Sequence, residues 1–97
     1  PRQYGKSTWL EAELRATVAR AGPGSAFYLN GDQIRDVDGL TAAIRGLLPW
    51  YRPDAPVRRL FLDEITAIPD WERGLKQLLD AGELRQVLVV TTGSRAT

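Results

Sequence analysis

The stretch Pro1–Leu14, PRQYGKSTWLEAEL, sets Gly5-Lys6-Ser7 directly before a helical pattern. The signature of a phosphate-binding loop is G-x-x-x-x-G-K-[ST]. Pro1, Arg2, Gln3 and Tyr4 occupy its four variable places, so its first glycine would fall before Pro1. At these residue frequencies a G-K-[ST] triplet arises by chance in roughly one such chain in fifty. Of the 13 basic residues only Lys6 and Lys76 are lysines. A chain that otherwise uses arginine thus places a lysine between Gly5 and Ser7, and there is a chemical reason for it. The ammonium is a compact charge on a flexible stem that reaches between two phosphates, whereas the guanidinium is a wide planar fork. The alternative is a Gly-Lys-Ser turn that merely starts a helix.

The composition allows one domain or a piece of one: 97 residues, 43% hydrophobic and 26% charged, in the ordinary globular range. A net charge of +1 gives no general argument for nucleic acid or an anionic membrane. No apolar run approaches the roughly 18 residues of a membrane span. Cysteine and histidine are both absent. That excludes disulfide staples, thiol nucleophiles, Ser-His-Asp triads and the common zinc sites. It is compatible with a reducing cytoplasm, and a cytoplasmic location is the expectation.

Outward from Ser7, Leu10, Leu14 and Val18 recur every fourth residue among charges, which predicts an amphipathic helix from Ser7 to Ala21. Gly22, Pro23 and Gly24 end it, and Ala26–Asn30 reads as a short apolar strand. Asp38 is a candidate cap for a second helix carrying Leu40, Ile44, Leu47 and Leu48. Three prolines between Pro49 and Pro56 make that segment a loop, in which Trp50, Tyr51 and Arg52 are read as packing. Val57–Ile65 is a second strand. Pro69-Asp70 then starts a third helix, with Trp71, Leu75, Leu78 and Leu79 inward and Gly82 beyond its end. Gln86–Ser94 is a third strand, apolar on both faces from Val87 to Val90, which suits a parallel sheet covered on two sides. Alternating strands and helices predict an α/β domain with right-handed crossovers.

Two further elements carry chemistry. "RLFLDEI" ends an apolar strand in Asp63-Glu64, where an aspartate can serve Mg²⁺ and a glutamate can polarise an attacking water. The alternative is ordinary polar residues leaving a buried strand. "VVTTGS" ends a strand in Thr91, Thr92 and Ser94, which are either hydroxyls near that water or turn-forming residues. The intervening helices and strands allow Lys6 and Asp63 to meet at one carboxyl edge, where open α/β sheets bind ligands.

Taken together, "PRQYGKSTWL", "LFLDEITAIPDWERGLKQLLDAGEL" and "VLVVTTGS" resemble the AAA+ P-loop ATPases, specifically a prokaryotic branch of ATP-binding proteins. The resemblance covers nearly the whole chain. It implies a three-layer P-loop NTPase core of the ASCE/AAA+ type, Mg²⁺-dependent ATP binding and ATP hydrolysis. Pro1, Arg2, Gln3, Tyr4, Gly5, Lys6, Ser7 and Thr8 would be nucleotide-binding, with Lys6 also catalytic. Ser7 and Asp63 would serve Mg²⁺, Glu64 would be the catalytic base, and Ser94 or Thr92 the polar sensor.

The family order 5-1-4-3-2 leaves this chain with strands 2, 3 and 4, in the order 4-3-2. Residues 1–97 are therefore expected to be a partial core, without the strand before the loop and everything after the sensor strand. In that case Pro1–Tyr4 is irregular and ATP binding by this chain is weak. The strand from Gln86 to Thr92 would have an open edge suited to self-association. A partner, protein or nucleic acid, would act through other domains. A nucleotide-dependent switch with little turnover is the alternative function. A kinase or GTPase is disfavoured by the Asp63-Glu64 pair and by the absence of an N-K-x-D motif.

Overall fold

The computed structural model describes residues 2–92, with side chains from Thr8 onward. A first helix, α1 (Arg2–Ala21), leads into strand β1 (Ala26–Asn30). A short 3₁₀ turn at Gly31–Gln33 and helix α2 (Val37–Leu47) follow, then strand β2 (Arg59–Asp63), helix α3 (Trp71–Asp80) and strand β3 (Leu88–Thr91). The strands form one parallel sheet in the order β1-β2-β3, with β2 central and β3 outermost among the described residues. This is the three-layer α/β arrangement expected for a P-loop NTPase core.

Strand alternation sorts the side chains onto two faces. Leu60 and Leu62 point to a core shared with Leu40, Ile44, Ile65, Ile68, Leu78 and Leu84, beneath α2 and α3. Ala26 and Phe61 point the other way and meet Leu10 of α1, with Leu14, Val18, Tyr28 and Val90 packed around them. Each fully buried leucine of this kind contributes about 1.5–3 kcal/mol. Trp71 and Leu75 pack against the first core, as the helical spacing indicates. Leu79, expected inward, is 56% exposed, because it lies a further 100° around α3 from Leu78. Val89 packs against the first core and Val90 against the second, so β3 meets both layers as its composition suggests, whereas Leu88 at its start is 57% exposed.

The helix boundaries are set by polar groups. The second helix is capped by Asp36 and not by Asp38. Asp36 is extended at φ −151° and its Oδ1 accepts the Gly39 N–H at 2.8 Å, while Asp38 already lies in the first helical turn. At the far end of α1, Gly22 takes φ +91°, a left-handed conformation that ends a helix readily only at glycine. The Arg52 guanidinium donates to the Ala21 and Pro23 carbonyls, each at 2.8 Å, and so caps the helix C-terminus. Tyr51 sets its ring edge-on to Phe27 and donates its hydroxyl to the Arg59 carbonyl. Burial pushes the Tyr51 phenol above its ordinary value, against a smaller opposing effect of Arg58. Tyr51 and Arg52 thus pack as expected, whereas Trp50 is 73% exposed.

The start of α1 differs from expectation. The helix does not begin at Ser7; it continues back to Arg2, so Arg2–Tyr4 is helical where irregular backbone is expected. Pro1 lies outside the described residues. Within a continuous helix the N–H groups of Lys6 and Ser7 are directed at carbonyls one turn earlier, which satisfies them internally.

Where β2 ends, the chain turns sharply. Glu64 has φ +58°, unusual for a residue with a side chain, and Gly31 lies directly beneath it. A Cβ on Gly31 would stand 2.5 Å from the Glu64 carbonyl oxygen and 2.9 Å from the Ile65 Cα. Both neighbours are backbone and cannot swing aside. Gly31→Ala is therefore expected to destabilise the domain by about 1–3 kcal/mol, read from the midpoint of chemical denaturation. An unchanged midpoint would show that the Glu64 turn is free to move.

Candidate active site

Thr17 and Arg59 fix the direction of α1 across the sheet. The Arg59 guanidinium donates to the Thr17 hydroxyl at 3.1 Å, and that hydroxyl donates to the Glu13 carbonyl at 2.8 Å. Further along β2, Phe61 meets Leu10. Moving along β2 from Arg59 to Phe61 thus corresponds to moving backward along α1 from Thr17 to Leu10. The helix is antiparallel to the strands, and its first turns, with Gly5, Lys6 and Ser7, lead toward the edge where β2 ends. They lie on the face to which Arg59, Phe61 and, by alternation, Asp63 point. The side chains of Arg2, Gln3, Tyr4, Lys6 and Ser7 lie outside the described residues, and Thr8 is exposed.

Asp63 is the last residue of β2 and is fully buried. A carboxylate out of water needs donors at its oxygens. Among the described residues two hydroxyls supply them. Tyr28 donates to Oδ2 at 2.6 Å, and Thr92 donates to Oδ1 at 2.6 Å. These lengths match the short hydrogen bonds that hydroxyls make to an ionised carboxylate.

Thr92 does more than hold Asp63. Its N–H donates to the Leu62 carbonyl at 2.9 Å, and its own carbonyl accepts the Ile65 N–H at 3.2 Å. Its hydroxyl oxygen also receives the Glu64 N–H at 3.4 Å. One residue just beyond β3 therefore spans the Asp63-Glu64 turn on both sides. Ser94, the other hydroxyl considered from sequence, lies outside the described residues.

Glu64 is 95% buried yet has no hydrogen bond or ion pair to its carboxylate among the described residues. No buried side-chain polar atom among them lacks a partner, so the Glu64 carboxylate oxygens keep contact with solvent at the sheet edge. Asp63 and Glu64, adjacent in sequence, thus have opposite environments. One carboxylate is locked by hydroxyls, and the other is held by its backbone with its oxygens open.

The donor set bears on which metal fits. Among the described residues no three His, Cys, Asp or Glu side chains come together. A metal that needs a cage of protein ligands would find none there. Mg²⁺ keeps several waters and is held by one or two protein oxygens plus phosphates, which suits a rigidly oriented carboxylate such as Asp63. Two open hollows lie elsewhere. One, about 440 Å³, is at the amino-terminal edge beside Val57 and Leu88, and the other, about 430 Å³, lies between α2 and α3. Neither touches Asp63, Glu64 or Thr92. A phosphate site is built from strand ends and backbone N–H groups rather than from a deep apolar cavity.

Sequence reasoning identified Asp63, Glu64 and Thr92, and the structure brings these three together. It missed Tyr28 and Gly31. The available signals were a tyrosine within an apolar strand, whose hydroxyl needs a polar partner, and a glycine just past a strand end.

A family model described as an AAA domain matches residues 1–97. No curated protein and no solved structure matches the chain. Among the described residues no helix is long and apolar enough to cross a membrane. With a family match across its full length and a parallel α/β sheet ending in Asp63-Glu64, the chain belongs to the AAA-domain family, a nucleotide-binding, ATPase-like core.

Proposed function

We propose that this core binds ATP with Mg²⁺ and hydrolyses it at the carboxyl edge of β2. The observation that supports the reading most is the contrast between the two adjacent carboxyl groups: Asp63 buried and held at both oxygens, Glu64 poised with its oxygens open. Asp63 and the Ser7 hydroxyl would hold Mg²⁺, which would supply positive charge to offset the charge that develops on the outer phosphates. Lys6 contributes a second positive charge to the same phosphates, and residues Pro1 to Thr8 supply the nucleotide-binding segment. Glu64 accepts the proton of the water that attacks the terminal phosphorus as the bond to the leaving diphosphate breaks. Thr92 keeps Asp63 and the Glu64 backbone in register and is the sensor hydroxyl in this reading.

The helical Arg2–Tyr4 segment adds an energetic element. A phosphate receives backbone N–H groups only if they are not already bonded within a helix. With α1 reaching back to Arg2, those of Lys6 and Ser7 are so bonded, so their use in nucleotide binding requires unwinding the turn before them. The unwinding draws on binding energy and makes ATP binding by the 97-residue chain weak.

The test compares two substitutions in the complete protein. Lys6→Ala should weaken Mg-ATP binding at least about tenfold, or about 1.4 kcal/mol, by equilibrium titration. Glu64→Gln should leave binding intact while lowering single-turnover hydrolysis roughly 10²-fold. Equal affinities for wild type and Lys6→Ala remove Lys6 from the site. Unchanged hydrolysis in Glu64→Gln removes Glu64 as the base, and negligible hydrolysis in both proteins replaces the enzyme reading with a nucleotide-dependent switch.

A further inference from the structure

Tyr28 belongs to none of the motifs that suggest ATP chemistry, yet its hydroxyl reaches the carboxylate on which that chemistry depends. In the β1–β2 register Tyr28 is paired with Phe61, two residues before Asp63. Tyr28, Phe61 and Asp63 therefore share the face of the sheet covered by α1. The phenol is long enough to cross the diagonal from its own pair to the next residue on that face. Its ring packs against the cluster of Leu10, Ala26 and Phe61, which limits how far it can swing.

We propose that Tyr28 is a positioning residue for Asp63, fixing the plane of its carboxylate jointly with Thr92. The terminal torsion of an aspartate, between an sp³ and an sp² carbon, is broad and has no sharp preference of its own. A single donor leaves the group free to rock about that bond. Here two donors from opposite neighbours of β2 each take one oxygen, Tyr28 on Oδ2 and Thr92 on Oδ1. The carboxylate plane is set before any ligand arrives. Preorganisation of this kind affects affinity only for what the carboxylate contacts. The inference rests on the reading of Asp63 as the group that serves Mg²⁺.

The test uses the complete protein as wild type, Tyr28→Phe, Thr92→Val and Asp63→Asn. A fluorescent ATP analogue is titrated in excess Mg²⁺ and again in EDTA, and the ratio of the two affinities gives the metal-dependent gain. Tyr28→Phe keeps the ring against Leu10 and Phe61, and thermal melting verifies that the fold is retained. The expected result is a gain reduced by about tenfold in Tyr28→Phe, with affinity in EDTA held within about twofold. Thr92→Val should lose a comparable part of the gain, and Asp63→Asn nearly all of it. A full gain in Tyr28→Phe, or affinity lowered equally in Mg²⁺ and EDTA, overturns the positioning role while leaving Asp63 in place. A full gain in Asp63→Asn overturns the functional reading and this inference with it.

Discussion

At the end of the central strand a fully buried carboxylate, Asp63, has to be kept satisfied, and much of the surrounding structure follows from that requirement. An aspartate removed from water destabilises a small domain unless donors meet both oxygens. The donors here come from both flanking strands, so β1 and β3 must hold their register with β2 to within a residue. A one-residue slip would turn Tyr28 and Thr92 to the opposite face. The polar lock and the two apolar cores therefore specify the same alignment. The leucines of β2 fix it on one face, and Phe61 with Asp63 fixes it on the other.

The same edge explains the local strain. Glu64 takes a left-handed backbone conformation without being a glycine, a state that persists only where the surroundings enforce it. Gly31 lies beneath it without a side chain, and Thr92 bonds across it from above. The turn swings the chain out of the sheet immediately after Asp63, separating two adjacent carboxylates into a locked and an open environment. The antiparallel course of α1 completes the arrangement by leading Gly5, Lys6 and Ser7 toward this edge.

The strands were legible because their apolar runs are short, bounded by glycine and proline, and separated by helical periodicity. Asp63 was legible for a related reason: an acidic residue closing an apolar run falls at a sheet edge. Tyr28 was not, since its role depends on pairing with a strand 35 residues away, and no local pattern records that register. The cap was read as Asp38, and that Asp36 takes the role follows from its extended backbone, which the sequence does not record. The start of α1 followed a motif in the sequence reading, whereas Arg2, Gln3 and Tyr4 include no helix breaker and continue the helix by one turn.

The central claim is that nucleotide and metal meet at the carboxyl edge of β2. Hydrogen exchange measured by mass spectrometry on the complete protein, with and without Mg²⁺ and a slowly hydrolysed ATP analogue, tests it most directly. The account predicts slowed exchange in peptides covering residues 2–8, 63–65 and 92, with little change at the opposite edge. Protection confined to residues 56–59 and 86–88, around the hollow at the amino-terminal edge, would contradict it.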